Sequence, residues 1–155
     1  MRYFYCVFLI HRPVLYFFLH RDMEYSVRPP DNRDLRSGRE PWILESCRDC
    51  IESTALLIHF SRVPGGESSS ISTSWGEVQA LFAAYLVLLQ ARSAGTALRP
   101  IFRSVGDPDE LLDWVERTFE AMPLRSLGVS RSLAVLRDER RNFEVASPGY
   151  SIPSV

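Results

Sequence analysis

Cys47-Arg-Asp-Cys50 is the pair whose residue type and spacing come nearest to chemistry. A C-x-x-C can hold half of a structural zinc site, but the other half needs two more ligands. The third cysteine, Cys6, is remote, and no histidine stands at ligand spacing beside the pair. A redox C-x-x-C needs a strand running into a helix. The surrounding residues instead repeat at helical steps, so both thiols are expected on one apolar helix face, packed as small hydrophobes. His11, His20 and His59 show neither HxxxH nor HExxH spacing. They suit local pairing, or in His59 the negative end of a helix dipole. No G-x-S-x-G elbow is present, and Gly65-Gly66 lies in a Ser-rich stretch rather than a phosphate loop.

The densest set of carboxylates is Asp107, Asp109, Glu110, Asp113, Glu116 and Glu120. All six fall on one predicted helix, which reads as a solvated face rather than an acid–base pair held across a cleft. Trp42, Trp75 and Trp114 are expected to anchor helix ends. The sequence therefore nominates no catalytic, cofactor-binding, metal-binding or DNA-binding residue, no cofactor and no enzymatic activity.

Composition agrees with a folded helical chain. The 155 residues are 46% hydrophobic and 24% charged, and the net charge is −1. Disordered chains combine low hydrophobicity with high net charge, and this one has neither. All 18 basic residues are Arg. None of them forms a basic stripe: Arg28, Arg33, Arg36 and Arg39 are interleaved with Asp31, Asp34 and Glu40. Specific DNA binding by these residues alone is not expected.

The elements that must position these groups follow from period and punctuation. Residues 1–20 are apolar and predict a buried helix, kinked or restarted at Pro13. His11-Arg12-Pro13 divides them into two runs too short for a membrane span. Residues 22–40 predict an exposed connection. Pro41 opens a helix to about Arg62, with Ile43, Cys47, Cys50, Thr54, Leu57 and Ile58 facing inward. After a loop over 64–74, Ser74 and Glu77 form a capping box. The unbroken run Ala80–Leu89 then predicts a central helix covered on all sides. Asp107-Pro108 starts an acidic helix with Leu111, Leu112, Val115, Phe119 and Met122 inward. A basic helix over about 130–141 is its antiparallel partner, with Leu133 and Leu136 inward. The expectation is an all-α fold of about five helices over 1–141 and a flexible tail over 142–155.

The order of these elements resembles a known family. Ile10-His11-Arg12-Pro13-x-Leu15 is similar to the hRP-x-L helix of the fungal-specific transcription factor domain. Cys50-Ile51-Glu52-Ser53-Thr54-Ala55-Leu56-Leu57-Ile58 resembles its Cys-led helix. Trp75 and Leu81–Leu89 resemble the Trp and apolar helix that follow, and 107–141 its closing amphipathic pair. The pattern departs where Leu127 and Ser130-Arg131 replace a Trp followed by Ala and Arg. Three scattered cysteines also cannot build the family's six-cysteine zinc cluster.

The resemblance implies the C-terminal part of a larger helical regulatory domain, a fragment or truncated form acting in transcription regulation in the nucleus. It implies no catalysis, with any small-molecule effector unidentified; the interruption at His11-Arg12-Pro13 is what argues for no membrane. The implied partner is the missing part of the same domain or a homodimer partner. The alternative is a small secreted or membrane-anchored helical protein with residues 1–19 as signal or anchor.

Overall fold

The computed structural model describes residues 2–27, 41–62, 75–93, 98–122 and 127–146. The protein is all-α, with six helices among those residues: α1 (Arg2–Val27), α2 (Pro41–Ser61), α3 (Trp75–Ser93), α4 (Arg99–Val105), α5 (Pro108–Ala121) and α6 (Leu127–Ala146). Residues 28–40 of the expected connection, the 64–74 loop, Ser74 of the capping box and residues 147–155 lie outside the described residues.

α1 is longer than the sequence suggests. It runs through Pro13 and on to Val27, into the stretch expected as a connection. Proline removes one amide donor from the helix interior. Here its ring lies on the exposed side of α1, where water can serve the Leu9 carbonyl left without a donor. The helix is also less buried than expected. Phe8, Leu15 and Phe18 enter the core, while Tyr3, Ile10 and Phe17 face out.

α2 lies antiparallel to α1. Phe4 stacks on Phe60 at one end, with ring centroids 5.2 Å apart, and His11 meets Asp49 further along. All six residues predicted on its inner face are buried, and so are Ile51, Ser53 and Ala55, because α2 also touches α3, α4 and α5. The small polar side chains hidden there are satisfied locally. Thr54 Oγ1 donates to the Cys50 carbonyl at 2.6 Å, and Ser53 Oγ donates to the Asp49 carbonyl. Such back-bonding lets Ser and Thr sit inside a helix without an orphan hydroxyl.

α3 is the central helix, as its unbroken apolar run requires. It touches α1, α2, α5 and α6, and Leu81, Tyr85, Val87, Leu88 and Leu89 are essentially inaccessible.

α4 adds a sixth helix to the expected five. Pro100 occupies its first turn, where the missing amide costs nothing. Gly106 ends it at φ +106°, returning its amide to the Phe102 carbonyl at 3.1 Å. A side chain is strained at that φ, so glycine is the residue that fits.

The predicted start of α5 holds. Asp107 is the cap, its Oδ1 accepting from the Asp109 amide at 2.9 Å, and Pro108 follows. All five predicted inward residues of α5 are buried, as are Leu133 and Leu136 of α6. α6 extends to Ala146, five residues past the predicted boundary at 141, and Arg140 Nε pairs with Glu144 at 3.3 Å one turn on.

Candidate functional site

The two cysteines of the C-x-x-C are free and buried at the α1–α2 contact. Burial pushes the Cys47 thiol up to about 11. Burial also pushes Cys50 up to about 12, with Cys47 adding to the rise while Arg12 and the Thr54 hydroxyl oppose it. Cys50 Sγ is 4.0 Å from the Phe8 carbonyl, the reach of a weak S–H donor. Protonated thiols in an apolar wall are poor nucleophiles and poor metal ligands. Among the described residues no three His, Cys, Asp or Glu side chains gather as a metal site.

The histidines stay apart. His11 does not pair locally; its Nε2 reaches across to Asp49 Oδ2 at 3.8 Å. His20 is exposed on α1, and His59 is exposed in the last turn of α2, where a cation suits the dipole. The tryptophans anchor less than expected. Trp42 and Trp75 are more than half exposed at their helix starts. Trp114 is not at a helix start but in the middle of α5, with the Arg62 guanidinium 5.3 Å above its ring. Arg62 also donates to Glu110 at 3.1 Å, so Glu110 serves the end of α2. This lock joins α2 to α5 through a cation–π contact and an ion pair.

The acidic face of α5 is where the structure departs most from the solvated reading. Asp109, Asp113, Glu116 and Glu120 step along one stripe of the helix, and α6 lies antiparallel beside it. Arg140 is the centre. Its Nη1 donates to Asp113 at 2.6 Å and to Glu116 at 3.0 Å, and its Nη2 is 3.6 Å from Asp109. One turn away, Arg137 pairs with Glu120 and lies 3.6 Å from Glu116. From α3, Arg92 pairs with Asp109, and the Tyr85 hydroxyl donates to Glu116 at 2.6 Å. Three helices therefore share one ladder of carboxylates.

Burial is deepest at Tyr85 and Glu116, and that sets the electrostatics. Burial, and then the hydrogen bond and negative charge of Glu116, hold the Tyr85 phenol well above its usual range, with Arg140 opposing. Burial works against the Arg140 cation, but its bonds to Asp113 and Glu116 outweigh that and keep its pKa above the ordinary arginine value. Tyr85 is a neutral donor and Arg140 a permanent cation. Neither is poised to exchange a proton near neutral pH. What this arrangement does is clamp α6 onto α5 and α3.

Sequence reasoning finds the carboxylates but not their partners. The four-, three- and four-residue steps from 109 to 120 are visible in the chain, and so is the positive charge of the following helix. Nothing local marks Tyr85, inside an apolar run, as the residue beneath them. No family model matches the sequence, and neither a curated protein nor a solved structure is significantly similar to it.

Proposed function

We propose that this chain is a non-catalytic helical regulatory module of the fungal transcription-factor type, acting through protein contacts in the nucleus. The DNA-reading zinc cluster of such proteins would be supplied outside these residues. One observation carries the reading: the motifs that resemble the family converge on one core. Leu15 of the hRP-x-L helix, Cys50 and Ile51 of the Cys-led helix, and Leu81, Tyr85, Leu88 and Leu89 of the α3 run are all buried in it. The groups with chemical potential are consumed structurally: two thiols in a wall, and carboxylates bound to arginines.

The test is to tether residues 1–155 to a heterologous DNA-binding domain upstream of a fungal reporter promoter. A change in reporter output against the DNA-binding domain alone is the expected result. Unchanged output with the fusion present at normal abundance would remove the transcriptional reading.

A second reading has one observation in its favour. Tyr3–His20 is long and apolar enough to cross a membrane, and only Phe8, Leu15 and Phe18 of it are buried. Against it, insertion would strip those three side chains from the core and place Arg12 near mid-bilayer, at a cost of about 2.5–3.5 kcal/mol on insertion scales. A C-terminally tagged chain found in the membrane fraction, or with a processed N-terminus, would favour this second reading.

A further inference from the structure

The outer face of α1 has no partner among the described residues. Tyr3, Cys6, Ile10, Pro13 and Phe17 are exposed and recur at alternating steps of three and four, the rhythm of a helix–helix seam. Tyr3 is 73% exposed, Ile10 69% and Phe17 55%, with Leu9 beside them at 44%. No charged side chain interrupts the seam. The arginine in this stretch, Arg12, is occupied on another side of the helix. Its Nε donates to the Tyr16 hydroxyl at 2.8 Å, and its guanidinium lies 4.9 Å from the Tyr16 ring centre and 5.9 Å from that of Phe8.

We propose that this seam is the interface of an isologous dimer, in which α1 of one copy crosses α1 of a second copy near Ile10. The proposal rests on the reading of the chain as an interaction module and names its partner. Three observations select a second copy.

The first is width. A stripe at alternating steps of three and four is narrow and matches another helix, whereas a helix lying on a bilayer presents a broad apolar arc flanked by basic side chains. Pro13 sharpens this point. It leaves the Leu9 carbonyl without a helical donor, which water at a dimer's edge can satisfy and hydrocarbon cannot.

The second is area. Counting aromatic side chains at about 150–250 Å² each, the exposed fractions of Tyr3, Leu9, Ile10 and Phe17 amount to roughly 450 Å² per copy. With Cys6 and Pro13 included, a pair of copies buries on the order of 1,100 Å², the size of a weak, reversible interface.

The third is charge. The chain carries a net charge of −1, so two copies meet without long-range repulsion. A neutral seam has no ion pair with which to select a charged stranger.

The test is sedimentation equilibrium on the full chain over a concentration series, with Ile10→Glu and Phe17→Glu as variants. A monomer–dimer equilibrium is expected, weakened about 100-fold by either glutamate, which the dimer would bury unpaired. Both positions are exposed in the monomer, so helical circular dichroism and the melting temperature of the monomer stay unchanged. A short bismaleimide supplies a second readout. It links two chains through Cys6, the exposed thiol, and the product disappears in Cys6→Ser.

A chain that remains monomeric at every concentration overturns the proposal. So does a dimer indifferent to both glutamates. Capture of the monomer by phosphatidylcholine–phosphatidylserine vesicles overturns it in favour of a lipid surface. A dimer broken by Ile10→Glu together with a silent tethered reporter would retire the transcriptional reading and leave the interface standing. A monomer with an active reporter would do the reverse.

Discussion

The α1–α2 pair and the α5–α6 pair are both antiparallel, yet different forces hold them. The first is closed by Phe8, Leu15, Cys47, Cys50 and Ile51, all fully buried, with the His11–Asp49 contact at its margin. The second buries Leu112, Val115, Phe119 and Leu136 on one side and lines the other with arginine and carboxylate. The difference teaches where each pair is vulnerable. Apolar burial is insensitive to salt and intolerant of lost volume, whereas partly exposed ion pairs are screened and individually modest.

Removing volume from the first pair should give the largest effect. Phe8→Ala empties a fully buried ring site and is expected to cost about 3–5 kcal/mol in urea unfolding. A loss below about 1 kcal/mol would mean that α1 is not seated on α2 as described.

Alkaline pH should separate the pairs next. The Cys47 and Cys50 thiols rise from 9.0 to about 11 and about 12 on folding. The folded state therefore holds protons that the unfolded state releases above pH 9. Stability is complete below that value and falls as pH rises toward 11–12. The decline is on the order of 3 kcal/mol between pH 9 and 11, and Tyr85 adds to it above pH 10. Replacing both cysteines by alanine should flatten the first part of that decline; an unchanged slope would place the titration elsewhere.

In the second pair, Arg140→Ala should cost about 2 kcal/mol, because it leaves the carboxylates of Asp113 and Glu116 facing each other without their shared cation. Part of the wild-type advantage should vanish in molar salt. Equal salt sensitivity in Phe8→Ala would erase the contrast between the pairs.

Smaller still, Tyr85→Phe should cost about 1 kcal/mol, since Glu116 keeps both arginines. Arg141→Ala, which breaks an exposed pair with Asp138, should stay within about 0.5 kcal/mol. A larger loss from Arg141→Ala than from Tyr85→Phe would overturn the idea that burial grades the rungs of the ladder.

Particular elements show why some of this was readable in the chain. The start of α5 was legible because Asp107-Pro108 satisfies and pre-shapes a helix start using neighbouring residues. The centrality of α3 was legible because ten apolar residues must hide most of the helix circumference, although Phe82, Ala83 and Leu86 stay half-buried rather than covered on all sides. α4 was not: seven residues make two turns, too few for a period, although Pro100 and Gly106 mark its ends. The full reach of α1 was not legible either, because Arg21, Asp22 and Glu24 look like a solvated connection when read alone. The candidate site was half legible. The acids showed their common stripe, and the basic residues showed a complementary helix, but which arginine meets which acid depends on how α6 lies on α5.

The sequence by itself determined that the chain is helical, where most helices begin, which faces of α2, α5 and α6 turn inward, and that Cys47 and Cys50 belong to a wall. Those properties follow from period, punctuation and the cost of exposing apolar side chains, all of which are local. Tertiary structure alone decided that the α5 carboxylates are clamped rather than solvated. It also decided that Tyr85 spends its hydroxyl on Glu116, and that α1 keeps one apolar face outside. Those outcomes require side chains 17 to 31 residues apart to meet, as Arg92 meets Asp109 and Tyr85 meets Glu116. No local pattern encodes such a meeting; it is set by which burial leaves the fewest charges and hydroxyls without partners.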